Sequence, residues 1–231
     1  MTTALLQTTY FGPIQWYQKL YRYDHCLIEQ YDSFQKQTYR NRCVIATANG
    51  TQALTVPVIH NGELKIENYD MHNADKQGNH NSQFSILNSQ LVKDLRISDH
   101  NQWRRVHWNA LQSAYSESPF FEYYADDLHL FFEQKYEYLL DFNEAIRQKV
   151  CELIDIHPQV TYTTDYTSSV SHQSSAITDF RDVINAKHPQ ADAEFTAKEY
   201  WQVFQHKHGF LPNLSILDLL FNLGPESIFY L

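Results

Sequence analysis

Glycine is scarce in this chain, with only six among 231 residues. Neither G-x-x-x-x-G-K-[ST] nor G-x-G-x-x-G occurs, so a bound phosphate would have to be held by side chains rather than by a glycine-rich loop. No G-x-S-x-G elbow presents a serine nucleophile. Cysteine is sparse too: Cys26, Cys43 and Cys151 are odd in number, widely spaced and free of any C-x-x-C. That argues against a disulfide framework or a zinc ribbon. His72, His80, His206 and His208 are scattered and form no recognised ligand spacing, so no metal is expected. No cofactor signature is present. The start, MTTALLQTTYF, has no basic region or cleavage site, and no apolar run reaches membrane-spanning length. The expectation is a cytoplasmic protein with reduced thiols and no membrane insertion. Lys and Arg number 18 against 27 Asp and Glu, a net charge of −9. That excludes the broad positive field a nucleic acid requires.

Aromatic residues are plentiful at 15%, with 16 Tyr and 14 Phe. The length suits one domain spanning 1–231 with a substantial core. The most informative stretch is Gln35–Val58. It contains no Asp or Glu from Ser33 to Gly62, but it carries Lys36, Arg40 and Arg42. Asn49-Gly50 between β-branched runs predicts a two-residue type I′ hairpin pairing Ile45 with Leu54 and Cys43 with Val56. Cys43, Ile45, Leu54, Val56 and Val58 then share an apolar face, with Cys43 a core residue, and Arg42, Val44 and Thr55 lie opposite. The cations are either a solvated strand edge or an anion site in which guanidinium groups grip carboxylate or phosphate.

Ala4–Tyr10, a helix from Pro13 to about Tyr21, and Cys26–Gln30 read as strand, helix and strand. If the two strands are parallel, Tyr10, Phe11 and Gly12 lie at the carboxyl edge, where open α/β sheets bind ligands. Glu63–Tyr69 reads as a further strand and 71–90 as a polar surface insertion. His100–Ser116 reads as an amphipathic helix with Trp103, Val106, His107, Ala110, Leu111, Ala114 and Tyr115 inward. A long helix from about Ala125 to Ile156, with a break open as an alternative, is followed by a strand over Gln159–Tyr166. An irregular stretch at 167–198 suits a lid. A helix over Glu199–His208 and a last one capped by Asn213 or Ser215 and stopped by Gly224-Pro225 complete the chain. The fold expected is α/β: a Rossmann-like, mostly parallel sheet, an inserted antiparallel β-hairpin and a helical middle region.

The segments TTYFGPIQWYQKL, LIEQYDSFQKQTYRNRCVI, ANGTQALTVPV, WRRVHWNALQSAYSESPFFEYY and LSILDLLFNLGP, in this order, resemble the WbqC-like protein family. Arg40-Asn41-Arg42, followed by a hairpin ending Thr55-Val56-Pro57-Val58, carries most of the likeness. Many members open with Gln-Pro-x-Tyr, whereas here the piece is Gln7-Thr8-Thr9-Tyr10, with Pro13 later. The resemblance implies a bacterial protein of O-antigen or other surface-polysaccharide biosynthesis, for which transfer of glycine or another small acyl group has been proposed. The family's start also looks like that of nucleotidylyltransferases, but Pro13-Ile14-Gln15-Trp16-Tyr17 stands where their histidine motif would lie.

The candidate binding residues are therefore Lys36, Tyr39, Arg40, Asn41 and Arg42, with Gln7 and Tyr10 from the first loop. The ligand would be a small anionic, nucleotide-linked substrate, with a nucleotide-linked or acyl-donor co-substrate. His107 is the candidate general acid or base, set against a core histidine, and the family pattern has a histidine there. Tyr115 either donates to an oxyanion or packs. Asp218, among leucines, is either exposed or a paired carboxylate. The leading expectation is transfer of an acyl or aminoacyl group to an amino sugar. The alternatives are a non-catalytic accessory that binds nucleotide sugars or a partner enzyme, and a nucleotidylyltransferase-like enzyme. A homo-oligomer is an open alternative to a monomer.

Overall fold

A computed structural model describes residues 1–59, 90–167 and 177–231. The expected strand at 63–69, the 71–90 insertion apart from Gln90, and His72 and His80 lie outside the described residues. The chain begins β1 (Thr3–Gln7), α1 (Ile14–Arg22), β2 (His25–Glu29), and β1 pairs with β2 in parallel. A second parallel pair joins β2 to β7 (Val160–Tyr162), and a third joins β1 to β8 (Ile177–Asp179). The resulting four-stranded sheet has the order β7-β2-β1-β8. The apolar run Ala4-Leu5-Leu6 is fully buried, as a central parallel strand covered on both faces requires.

Pro13 enters α1 at φ −68°, a conformation its ring favours. On the sheet face toward α1, the Cys26 thiol donates to the Lys19 carbonyl at 3.6 Å, and Phe180 meets Tyr23 edge-on at 5.5 Å. Lys19 is itself fully buried. Its Nζ lies 2.8 Å from Asp192 and 3.3 Å from Glu194, which ties the segment after β8 onto α1. Strand β8 occupies part of the stretch expected to be irregular. Its Ile-Thr-Asp has no long apolar run, because an edge strand needs little.

The hairpin follows β2 as β3 (Arg42–Thr47) and β4 (Gly50–Thr55). Its pairing differs from the expected one: Cys43 faces Leu54 and Ile45 faces Gln52, with Ala48 and Asn49 at the turn. Among these turn residues only Gly50 has positive φ, +102°, so a type I turn with a left-handed glycine replaces the type I′ turn. Thr47 fixes it, its hydroxyl accepting from Asn49 N at 3.3 Å and donating to the Gly50 carbonyl at 2.9 Å. A slip of two residues preserves the alternation. Cys43, Ile45, Leu54 and Val56 are therefore buried together as expected, whereas Val58 leaves the hairpin for β5 (Val58–Ile59), antiparallel to β6 (Arg96–Ile97).

The helical middle comprises α2 (Trp103–Tyr115), α3 (Phe121–Glu133) and α4 (Leu139–Leu153). The expected long helix is thus two helices, broken where Tyr138 bridges to Arg96. Val106, expected inward on α2, is exposed, but Trp103, His107, Leu111, Ala114 and Tyr115 are buried. Helix α5 spans only Gln205–His208. The last helix, α6 (Ile216–Leu223), starts at Ser215, whose hydroxyl accepts from Leu217 N, and stops at Gly224 with φ +56°. One cluster of buried residues runs through the sheet, hairpin and helices.

Candidate functional site

Two pockets flank the end of β4. The first, about 280 Å³, is lined by Lys36, Gln37, Asn41, Arg42, Val56 and Val58 among others. The second, about 260 Å³, is lined by His100, Asn101, Trp103, Val106 and His107. Thr55 and Pro57 line both, so the two form neighbouring halves of one groove.

The first half is cationic. Among the described residues no carboxylate lies within ion-pair distance of Lys36 or Arg42. The Arg42 Nε donates to Thr55 Oγ1 at 3.1 Å, which orients the guanidinium along β4. Asn41 is buried beneath it. Its Nδ2 donates to the Val56 carbonyl at 2.8 Å, and its own carbonyl accepts from Val56 N at 2.8 Å. The Asn41 Oδ1 is buried, with no hydrogen-bond partner among the described residues.

Arg40 points elsewhere. Its guanidinium is buried against the Asp32 carboxylate. Burial lowers its pKa from the ordinary arginine value despite that partner. The Arg40 carbonyl accepts from Asn143 Nδ2 at 2.8 Å, and the same Nδ2 donates to Thr8 Oγ1 at 3.1 Å. Tyr10 N donates to the Tyr39 carbonyl at 2.9 Å. The loop after β1 and the Tyr39–Arg42 segment are therefore joined through the main chain.

In the second half, His107 is 4% exposed at the groove wall. Its Nδ1 lies 2.9 Å from the Tyr10 hydroxyl, and Trp103 meets its ring edge-on at 5.1 Å. Burial drives its pKa down to about 4, against the opposing pull of a hydrogen bond to the Thr55 backbone. Burial likewise raises the Tyr10 phenol well above its usual value, so the pair is neutral at pH 7.

The remaining candidates lie outside the groove. Gln7 is buried at the end of β1, its Nε2 donating to the Ile184 carbonyl at 2.5 Å. Tyr115 donates to Asp218 Oδ1 at 2.9 Å. Asp218 Oδ2 accepts from Tyr200 at 2.6 Å and Gln202 at 3.0 Å. Burial raises the Asp218 pKa, and these donors hold it back. Asp218 is thus a paired carboxylate, and its side-chain partners are two tyrosines and an amide. The three cysteines are buried and free. Burial raises the Cys26 thiol to about 12 and the Cys43 thiol further, which makes both poor nucleophiles.

A group that sequence reasoning passed over sits at the carboxyl ends of β2 and β8. Glu29, 1% exposed, accepts from Tyr31 N at 2.8 Å, Thr163 Oγ1 at 2.9 Å, Thr167 N at 2.9 Å and Arg181 Nη1 at 3.3 Å. Arg181 also forks onto Asp179, with contacts of 2.6 to 3.2 Å. The signal was an acid ending the otherwise apolar Cys26–Ile28 run, and Asp179 and Arg181 two apart in Ile-Thr-Asp-Phe-Arg. Among the described residues no three His, Cys, Asp or Glu side chains gather as a metal site, and no helix is long and apolar enough to cross a membrane.

The architecture is that of a mixed α/β protein: a parallel sheet, antiparallel hairpins and a central helical region. The chain belongs to the WbqC-like protein family, whose model matches residues 7–89 and 83–192. It is also similar to the uncharacterized protein Rv1507c of Mycobacterium tuberculosis, 25% identical over 250 residues that cover 99% of this chain and 96% of that one. No solved structure matches.

Proposed function

We propose that the chain is a cytoplasmic group-transfer enzyme of bacterial surface-polysaccharide (O-antigen) biosynthesis. It moves a small acyl or aminoacyl group onto an amino sugar held as its nucleotide. One observation carries the reading: two cations, Lys36 and Arg42, line a pocket that adjoins His107 and has no carboxylate among its described residues, in a chain of net charge −9. Lys36 and Arg42 grip the anionic portion of the substrate. Arg40, held by Asp32, and Tyr39, bonded to the loop after β1, keep that segment in place. In the transfer, the acceptor nitrogen forms a bond to the acyl carbon, the bond to the leaving group breaks, and the nitrogen loses a proton to His107. An imidazole of pKa about 4 is a weak base. An anionic substrate beside it favours the imidazolium and raises that value toward neutrality. Tyr10 orients the ring. Tyr115 and Asp218 act at a distance, as positioning residues.

A second reading, a non-catalytic accessory that binds nucleotide sugars, is favoured by the burial of His107 and by its two hydrogen-bonding neighbours. A thermal-shift screen at low salt against nucleotide sugars, nucleoside triphosphates, acyl-coenzyme A and glycine tests the binding claim, because a ligand of the native state raises Tm by mass action. The expected result is a shift with a phosphate-bearing class that Arg42→Ala abolishes while its unliganded Tm stays within a few degrees of wild type. A shift that persists in Arg42→Ala would remove the anion site. Turnover of a bound donor–acceptor pair, lost in His107→Gln, separates enzyme from accessory.

A further inference from the structure

The two halves of the groove offer different chemistry. The first presents the cations Lys36 and Arg42. The second has no lysine, arginine or carboxylate among its described lining residues. Most of its polar atoms are already engaged within the fold. Trp103 Nε1 donates to the Ser98 carbonyl at 2.9 Å, and the Pro57 carbonyl accepts from Ser98 N at 2.9 Å. His100 Nδ1 lies 2.5 Å from Ser98 Oγ, His107 Nδ1 is matched to the Tyr10 hydroxyl, and Thr55 Oγ1 accepts from Arg42. What is left to meet a ligand is hydrocarbon from Pro57, Trp103 and Val106. Val106 lines this half while 55% exposed, so its isopropyl group is within reach of a ligand.

We infer that the second half is a subsite for a short aliphatic group carried by the anion that Lys36 and Arg42 hold, with Val106 as its specificity-determining residue. The substrate is then an amphipathic anion, and the group transferred is an aliphatic acyl group rather than glycyl. This rests on the reading of the first half as an anion site, and it adds what the anion must carry. Thr55 and Pro57 line both halves, so a chain attached to an anion in the first passes directly into the second. Size agrees: about 260 Å³ lies just under the usual range for whole small ligands and suits one fragment of a ligand. Each methylene moved from water onto these side chains favours binding, whereas a glycyl ammonium would lose water there without gaining a carboxylate partner.

The test is isothermal titration of the full chain with inorganic phosphate, ethyl phosphate, n-butyl phosphate and 2-aminoethyl phosphate. Wild type should bind the butyl ester about tenfold more tightly than the ethyl ester, the worth of two buried methylenes. The aminoethyl ester should bind no better than the ethyl one. Val106 is exposed, so Val106→Ser should keep the fold and the affinity for inorganic phosphate while the preference for butyl over ethyl shrinks several-fold. Equal wild-type affinities for the ethyl and butyl esters overturn the aliphatic subsite while leaving the anion site standing. A butyl preference undiminished in Val106→Ser puts the chain elsewhere and overturns it as well, as does tighter binding of the aminoethyl than of the butyl ester. If none of the four anions binds wild type, the anion site fails and this inference with it.

Discussion

At the scale of single residues, the molecule keeps several ionisable groups in states that water would not favour. His107 is the clearest case. Its unfolded-state pKa is near 6.5, and its folded value is depressed to about 4 by burial. Between those values the unfolded chain binds a proton that the native protein refuses, so stability is present in full above pH 6.5 and falls as pH drops toward 4. The loss should reach about 3 kcal/mol, from the 1.36 kcal/mol that each pH unit carries. Urea denaturation at steps from pH 7 to pH 4 measures it. In His107→Gln, which still offers an acceptor to Tyr10, this limb of the profile should flatten. A profile as steep as wild type would show that other groups govern the acid limb. Asp218 has the opposite sign. Its raised pKa favours the folded state at low pH, so the two buried groups pull against each other as the solution is acidified.

At the scale of elements, the hairpin shows what alternation fixes and what it leaves free. Asn49-Gly50 suggested a tight I′ turn, but Thr47 offers its hydroxyl to Asn49 N and moves the turn back by one residue. The apolar face survives because a slip of two residues maps each side chain onto the same side. The turn residues can be told apart by mutation. Gly50 has φ +102° with open space around its would-be Cβ, so Gly50→Ala should cost about 1 kcal/mol from backbone strain alone. Asn49 has no positive φ. Asn49→Ala should therefore change stability by less than about 0.5 kcal/mol, the range of ordinary surface substitutions. Thermal melts of both variants decide the matter, and a larger loss for Asn49→Ala than for Gly50→Ala would restore the I′ geometry.

The same contrast separates what could be read in the sequence from what could not. Hydrophobic periodicity located β1, α1, β2, α2 and α6, because each buries one regular stripe or one unbroken apolar run. The parallel strand–helix–strand start placed Tyr10 at the carboxyl edge of the sheet, and Tyr10 there meets the Tyr39 carbonyl and His107, neither of which that start could locate. Side-chain direction was not legible. Arg40 was grouped with Arg42 as an anion-binding residue, but it precedes β3, where no ladder enforces the alternation, and it turns to Asp32. Strand β8 was missed because three residues at a sheet edge carry no periodic signal. Arg181, which depends on that strand for its position, was missed with it.

At the scale of the whole molecule, β1 lies between two neighbours of very different origin. Strand β2 follows it after one short helix, whereas β8 comes from a segment more than a hundred residues later. Backbone pairing over Thr3–Leu5 holds β8 to β1, and the Glu29–Arg181–Asp179 group spans the sheet from β2 to β8 at its carboxyl edge. Glu29 is almost wholly buried, so its carboxylate depends on Arg181 and on three other donors. Removing one partner of a buried pair is costlier than removing both, because a lone charge remains out of water. Arg181→Met should therefore lower stability by about 3 kcal/mol, while Arg181→Met combined with Glu29→Gln should recover part of that loss. The coupling from this double-mutant cycle, read by urea denaturation at pH 7, measures how strongly the late strand is tied to the early βαβ unit. If the two losses simply add, the ion pair contributes nothing across the sheet, and β8 is held by its backbone ladder to β1 and by the Lys19 contacts of the segment that follows it.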